Sequence, residues 1–321
     1  MLNERGVMMT QLDLGLNLST KRTRKREFLD EMTRVVPWQK LIALIEPYYP
    51  KGKTGRPPFG IATMLRIHFM QQWFSLSDPA MEEALHDIPL YREFALLEGG
   101  VRRLPDESTI LRFRHLLEAH ALSGAMLATV NEILQAKGLM LKVGSAVDAT
   151  LIAAPSSTKK PGTRDPEMRQ TQKGGSWYFG MKAHIGVDAD SGLVHTVKCT
   201  SANVHDITVA HELLHGEERI AFADAGYQGI EKRGETGALE WHVAMRPSKR
   251  RKLDKSKRLD GIYEKIERLK ASVRAKVEHP FRVLKCQFGY LKARYRGLAK
   301  NTAQIETQFA LANLWMVRKV L

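Results

Sequence analysis

KVGSAVDATLI, residues 142–152, sets a single carboxylate, Asp148, in the middle of an otherwise apolar run of strand length. Valine, isoleucine and threonine favour extended backbone, because branched side chains pack well on a pleated surface. The run therefore predicts a β-strand over Lys142–Ile152. A carboxylate there is costly unless it is paired or binds a metal. The helical periodicity upstream gives way to this pattern near Leu139, which divides the chain into 1–138 and 139–321.

Downstream, Tyr178–Val187 and Leu193–Thr200 read as two strands joined by Asp188-Ala189-Asp190-Ser191-Gly192, a hairpin connection. His205–Leu214 predicts a helix, with His205-Asp206 either capping it or facing a site. Arg219–Ala223 is a short buried strand ending at Asp224, followed by the turn Ala225-Gly226-Tyr227. Trp241–Met245 is a further strand, and helices over Gly261–Gln287 and Thr302–Val320 close the chain. A strand hairpin followed by alternating helices and strands indicates a mixed α/β sheet.

Upstream, Lys21–Arg26 holds five basic residues and reads as a solvated or a phosphate-contacting arm. Gly52–Gly60 (GKTGRPPFG) is a turn-rich hinge. Ile61–Phe74 carries its apolar residues at three- and four-residue spacing, as an amphipathic helix does. Ser77-Asp78-Pro79 and Leu104-Pro105-Asp106-Glu107-Ser108-Thr109 are helix starts. The second leads into a helix that carries Arg112, Arg114 and His115 beside its apolar face. Several short helices with basic residues suit a small DNA-binding domain, although any basic helical bundle shows the same pattern.

Asp148 and Asp224 converge at one end of a sheet if their strands are neighbours. A third acid lies in ASVRAKVEHPFRVLKCQFG, where Arg274, Glu278 and Lys285 are spaced by four and then seven residues. At about 100° per residue these offsets return to nearly one helical face. That face offers a metal ligand between two cations suited to phosphate oxygens. An Arg–Glu pair four apart is also a common helical salt bridge. Pro280 should kink the helix or leave a carbonyl free. Oxygen donors suit Mg²⁺ or Mn²⁺.

The 321 residues include 50 Lys plus Arg against 35 Asp plus Glu, a net charge of +15 that favours a polyanionic partner. With 43% hydrophobic residues the chain can bury a sizeable core. Cys199 and Cys286 form neither a zinc pattern nor a disulfide framework, which fits a reducing cytoplasm. The N-terminal stretch MLNERGVMMTQLDLG carries acids and no continuous apolar core, so neither a secretory signal nor a membrane partner is expected. The absence of GxGxxG, P-loop and triad-like motifs argues against a small-molecule enzyme.

Taken together, VDATLIAAPSSTK, WYFGMKAHIGVD, NVHD, ADAGYQG and RAKVEHPFRVLKCQFGYLKARYRGL resemble bacterial insertion-sequence DDE transposases of the IS-five, InsH-like type. PWQKLIALIEPYYPK, GRPPFGIATMLRIHFMQQWFSLSD, AMEEAL and LPDESTILRFRHLLE resemble that family's N-terminal domain. The resemblance spans roughly residues 25–315 in the same order. It implies an RNase H-like catalytic core over 139–321 and an α-helical DNA-binding domain over 1–138. The catalytic and metal-ligating residues become Asp148, Asp224 and Glu278, with Asp148 bridging two ions, Mg²⁺ or Mn²⁺. The related signature Tyr-x2-Arg-x3-Glu-x6-Lys falls on Arg274, Glu278 and Lys285, whereas its Tyr position is Ala271 here. The short interval from Asp224 to Glu278 leaves little room for the β-rich insertion domain of some relatives.

The implied activity is water-dependent cutting at a transposon end, then attack of the freed 3′-OH on target DNA, with no covalent protein–DNA intermediate. The implied partner is double-stranded DNA, both terminal inverted repeats and target, with a homodimer in the complex. Candidate DNA contacts are Arg274, Lys285, Arg282, Arg112, Arg114, Lys249 and Arg250. The last two lie in RPSKRRKLDKSKR (Arg246–Arg258), with eight basic residues and one acid. Lys182 and His184 share a strand face, either packed or reaching the site. Trp177 and Tyr178 pack in the core or stack on a base. A non-catalytic, transposase-derived regulator and a nuclease that cuts without joining are the rival readings.

Overall fold

The computed structural model describes residues 22–52, 56–97, 103–141, 143–155, 164–234, 239–254 and 256–321. Lys21 of the basic run, the N-terminal stretch, part of the hinge and Lys142 lie outside them.

Among the described residues the N-terminal region is helical: α1 (Arg24–Val35), α2 (Trp38–Ile45), α3 (Ile61–Phe74), α4 (Asp78–Asp87), α5 (Pro89–Phe94), α6 (Glu107–Ala119) and α7 (Leu122–Ala136). Side-chain caps set three of the starts. Thr23 accepts from Arg26 N at α1, Ser77 from Ala80 N at α4 and Asp106 from Thr109 N at α6. The basic run thus enters a helix instead of trailing as an arm. Within it, Lys25 donates to the Tyr91 hydroxyl, and Arg26 makes two hydrogen bonds to Glu93.

The sheet comprises β1 (Gly144–Ala153), β2 (Arg169–Lys173), β3 (Ser176–Asp188), β4 (Val194–Ser201), β5 (Ile220–Ala223) and β6 (Glu240–Val243). Its order is β2-β3-β1-β5-β6, with β4 also pairing with β3. The β1–β3 and β3–β4 pairs are antiparallel, whereas β1–β5 and β5–β6 are parallel. This mixed arrangement is that of an RNase H-like core. One face carries α9 (Arg258–Arg282), a π-helical turn (Val283–Gln287) and α10 (Leu298–Val317). The other is covered by the 3-10 turns Asp206–Thr208, Ala210–Leu213 and Ala225–Tyr227, which enclose Val147, Ala221 and Trp241. A four-residue helix, α8 (Pro247–Arg250), follows β6.

Three local expectations are corrected. The stretch 205–214 forms two 3-10 turns, not a helix. It lies so close to the sheet that a Cβ on Gly186 would come within 2.1 Å of the Leu213 carbonyl, which leaves no room for a helical cylinder. His205 caps nothing with its side chain. Trp177 is 67% exposed and Tyr178 is also exposed, so neither packs in the core; both lie on the part of β3 that pairs with β2, an exposed polar strand with no apolar alternation to predict it. The long helix passes Pro280 without stopping and loosens just after it into the π-helical turn.

The helical region and the sheet share one core. Helix α10 packs on α7, α3 and β4. Buried Asn313 accepts from Val194 N (2.9 Å) and donates to Val194 O (2.7 Å) and to Asn131 Oδ1 (2.9 Å), joining α10, α7 and β4. Gln304 reaches Gln72 at 3.2 Å and Thr307 reaches Ser123 at 3.1 Å.

Candidate active site

In the β1–β5 pairing, Ala146 lies opposite Phe222. Two residues on, past the last pair, Asp148 shares the strand face of Ala146, the one covered by α9, and Asp224 directly follows β5, near enough for its charge to act on Asp148. Each carboxylate has one oxygen held by backbone. Asp148 Oδ1 accepts from Ala149 N and Asp224 Oδ1 from Gly226 N, both at 2.7 Å. Among the described residues no hydrogen bond engages either Oδ2. Burial pushes Asp148 up to about 6, the Ala149 amide works against this, and the charge of Asp224 adds to it. A divalent cation would remove both penalties, and the donors are all oxygen, so the pair fits such an ion.

Helix α9 sets cations beside the pair. Arg274 lines a 650 Å³ cavity with Asp224, and its charge lowers the Asp148 carboxyl. Lys285, on the π-helical turn, donates to Thr150 Oγ1 at 2.6 Å, two residues beyond Asp148 on the same strand face. Burial, and then the charge of Lys173, hold Lys285 below the usual lysine range. Glu278 lies one helical turn beyond Arg274, between Arg274 and Lys285 along the helix, and is exposed. No described contact ties it to Asp148 or Asp224, and it forms no salt bridge with Arg274. Ala271, at the position of the missing tyrosine, lines the same cavity as Arg274.

Two further residues, Asp206 and Tyr227, join this group. Asp206 accepts from Lys182 Nζ at 2.9 Å, and His184 Nδ1 stands 3.7 Å from the same oxygen. Lys182 and His184 therefore converge on an acid whose charge raises Asp148. His184 is fully buried, and burial lowers it to about 4 against the pull of Asp206, with Lys182 a smaller lowering influence. Tyr227 is buried beside the same acids. The only prior signal for either was its place in NVHD and ADAGYQG.

A second polar cluster lies at the start of β1, on the opposite face. His195, His215 and Glu218 each offer a ligand atom, all within 4.8 Å of one another. Hydrogen bonds already organise it. Glu218 accepts from Ser145 Oγ (2.8 Å) and from the amides of His215 and Gly216 (2.7 Å each). The Glu217 amide donates to His215 Nδ1 at 3.2 Å, so Nδ1 is an acceptor, and Nε2 stands 3.3 Å from Glu218. A metal-ligating histidine instead donates through its other nitrogen. The cluster clasps β1, β4 and the chain entering β5.

The remaining expected DNA contacts divide by environment. Arg282, Lys249 and Arg112 are exposed, and Arg112 lines a 420 Å³ cavity with Arg56 and Arg103. Arg250 is tied to Glu264 by two bonds of 3.0 Å. Arg114 is a correction. It is 7% exposed, bonded to Asp78 and Glu118 at 2.9 Å each and stacked over Tyr295, so its charge is spent inside the fold.

Among the described residues no helix is long and apolar enough to cross a membrane. No solved structure matches the chain. The transposase domain family (DUF772) matches residues 16–116. The transposase DDE domain family matches residues 140–314, the stretch that contains the paired aspartates, Arg274, Glu278 and Lys285. Domains of this family act on DNA with divalent metal ions. That match takes in more than half of the chain, on the fold and the acids just described, and the protein belongs to the DDE transposases.

Proposed function

We propose that the chain is the transposase of an insertion sequence of the IS-five, InsH-like kind, cutting DNA at terminal inverted repeats and joining the freed 3′ ends to target DNA. Residues 1–138 would recognise the repeats and residues 139–321 would carry out catalysis, working as a homodimer that holds two ends. The observation that carries the reading is the closeness of Asp148, on β1, to Asp224, at the end of the parallel neighbour β5, beside α9 with Arg274 and Glu278 and the π-helical turn with Lys285. Asp148, Asp224 and Glu278 would hold two Mg²⁺ or Mn²⁺ ions, which supply charge stabilisation to the attacking and leaving oxygens of an in-line displacement. Arg274 and Lys285 hold the phosphates on either side, Arg274 through its planar fork and Lys285 as a point charge. Arg282, Lys249 and Arg112 track the DNA backbone.

The test is cleavage of a labelled duplex carrying the flanking repeat, with Mg²⁺ or Mn²⁺, by the wild type and by Glu278→Gln. The expected result is that the wild type nicks at the repeat end while the variant binds and does not cut. Equal cutting removes Glu278 from the site. Binding without cutting by both favours a non-catalytic regulator. Pre-cleaved ends that never join to target favour a simple nuclease.

A further inference from the structure

Tyr227 is 0% exposed, and its hydroxyl meets no hydrogen-bond partner among the described residues. Buried hydroxyls are normally satisfied, because an unmade bond carries the full cost of desolvation. The ring is fixed. Its amide donates to Asp224 O at 3.1 Å, and the side chain packs in the cluster with Val147, Leu213 and Ile230. The turn that carries it packs on the turn Asp206–Thr208. The phenol lies in the field of three carboxylates: after burial, the charges of Asp206, Asp148 and Asp224 each hold it well above the usual tyrosine range. Asp206 is anchored, since Lys182 bonds it at 2.9 Å while also donating to Val204 O at 2.7 Å.

We propose that Tyr227 is a positioning residue of the metal site, its hydroxyl donating to an acid of the Asp148–Asp224–Asp206 group that has turned toward a bound divalent cation, with Asp206 as the outer acid of that group. The inference rests on the reading of Asp148 and Asp224 as metal ligands. A tyrosine hydroxyl offers one donor, and a carboxylate that binds metal through one oxygen keeps the other for such a donor. Lys182 offsets one of the three negative charges, so the ion meets an acid group already partly balanced.

The test is Mn²⁺ binding to the full chain, read from the EPR signal of free Mn²⁺, together with melting in EDTA. The proteins are the wild type, Tyr227→Phe, Asp206→Asn and Asp148→Asn. Tyr227→Phe should bind Mn²⁺ on the order of 10–100-fold more weakly, as losses around metal ligands do. It should melt in EDTA no lower than the wild type, because a buried hydroxyl without a partner has been removed. Asp206→Asn should weaken binding in the same direction. Unchanged affinity in Tyr227→Phe overturns the proposal, as does weaker binding accompanied by a lower melting temperature, which marks a loosened fold. Asp148→Asn separates the two readings. If it binds Mn²⁺ like the wild type, the metal-site reading itself fails. If it loses binding while Tyr227→Phe and Asp206→Asn do not, only the present inference fails.

Discussion

Asp224, directly after β5, lies close enough to Asp148 on the neighbouring parallel strand for its charge to raise that carboxyl, and each acid has one oxygen pinned by a local amide at 2.7 Å. Two carboxylates held this way repel each other in the metal-free protein, and the fold bears that cost.

The cost has a pH signature. Burial and the charge of Asp224 push Asp148 up to about 6 from an ordinary 3.8, so the folded chain binds this proton more tightly than the unfolded chain. The contribution to stability is therefore fully present below about pH 4, falls as pH rises from 4 to 6 and is flat above. Over that interval it amounts to on the order of 3 kcal/mol. In EDTA, the melting temperature of the wild type relative to Asp148→Asn should decline across the interval, with the variant melting higher at neutral pH. Parallel curves for the two proteins would show that Asp148 carries no such strain.

The strands that matter were legible because their composition is unambiguous: an apolar run around Asp148 and another before Asp224 leave only one way to bury them. The expected helical face of Arg274, Glu278 and Lys285 rested on 3.6-residue periodicity, which holds from Arg274 to Glu278 but not on to Lys285, because that residue sits on the π-helical turn after Pro280. Asp206 was not, because nothing local distinguishes a capping aspartate from one drawn across the sheet by Lys182. Strand β2 was invisible, since RQTQK is polar on both faces. Arg114 looked like its exposed neighbour Arg112, and only tertiary packing against Asp78 and Tyr295 separates them.

Asn313 binds both backbone groups of Val194 and the amide of Asn131, so it links the helical region to the sheet. Asn313→Ala strands a buried backbone donor and a buried side chain, a loss of about 2–4 kcal/mol. The two regions share one core, so the loss should appear as one shifted urea transition, with amide exchange accelerated in α7 and β4 alike. Two separate transitions would mean that the helices and the sheet unfold independently.

Salt dependence should separate the basic residues that meet DNA from those that hold the fold. Lys249 is exposed on the basic segment after β6. If it neutralises one phosphate, Lys249→Ala should reduce the slope of log affinity against log salt by about 0.9 without altering the urea midpoint. Arg114 is the converse case. Its two ion pairs are nearly sequestered from solvent, and removing it leaves Glu118 and Asp78 without their cation, Asp78 retaining only its bond from Gln71. Arg114→Ala should cost about 3–5 kcal/mol of stability. DNA binding, measured under conditions where the variant remains folded, should then keep the wild-type slope, because no phosphate contact has been lost. A shallower slope for Arg114→Ala would mean that the helix opens on DNA and releases this guanidinium to the backbone.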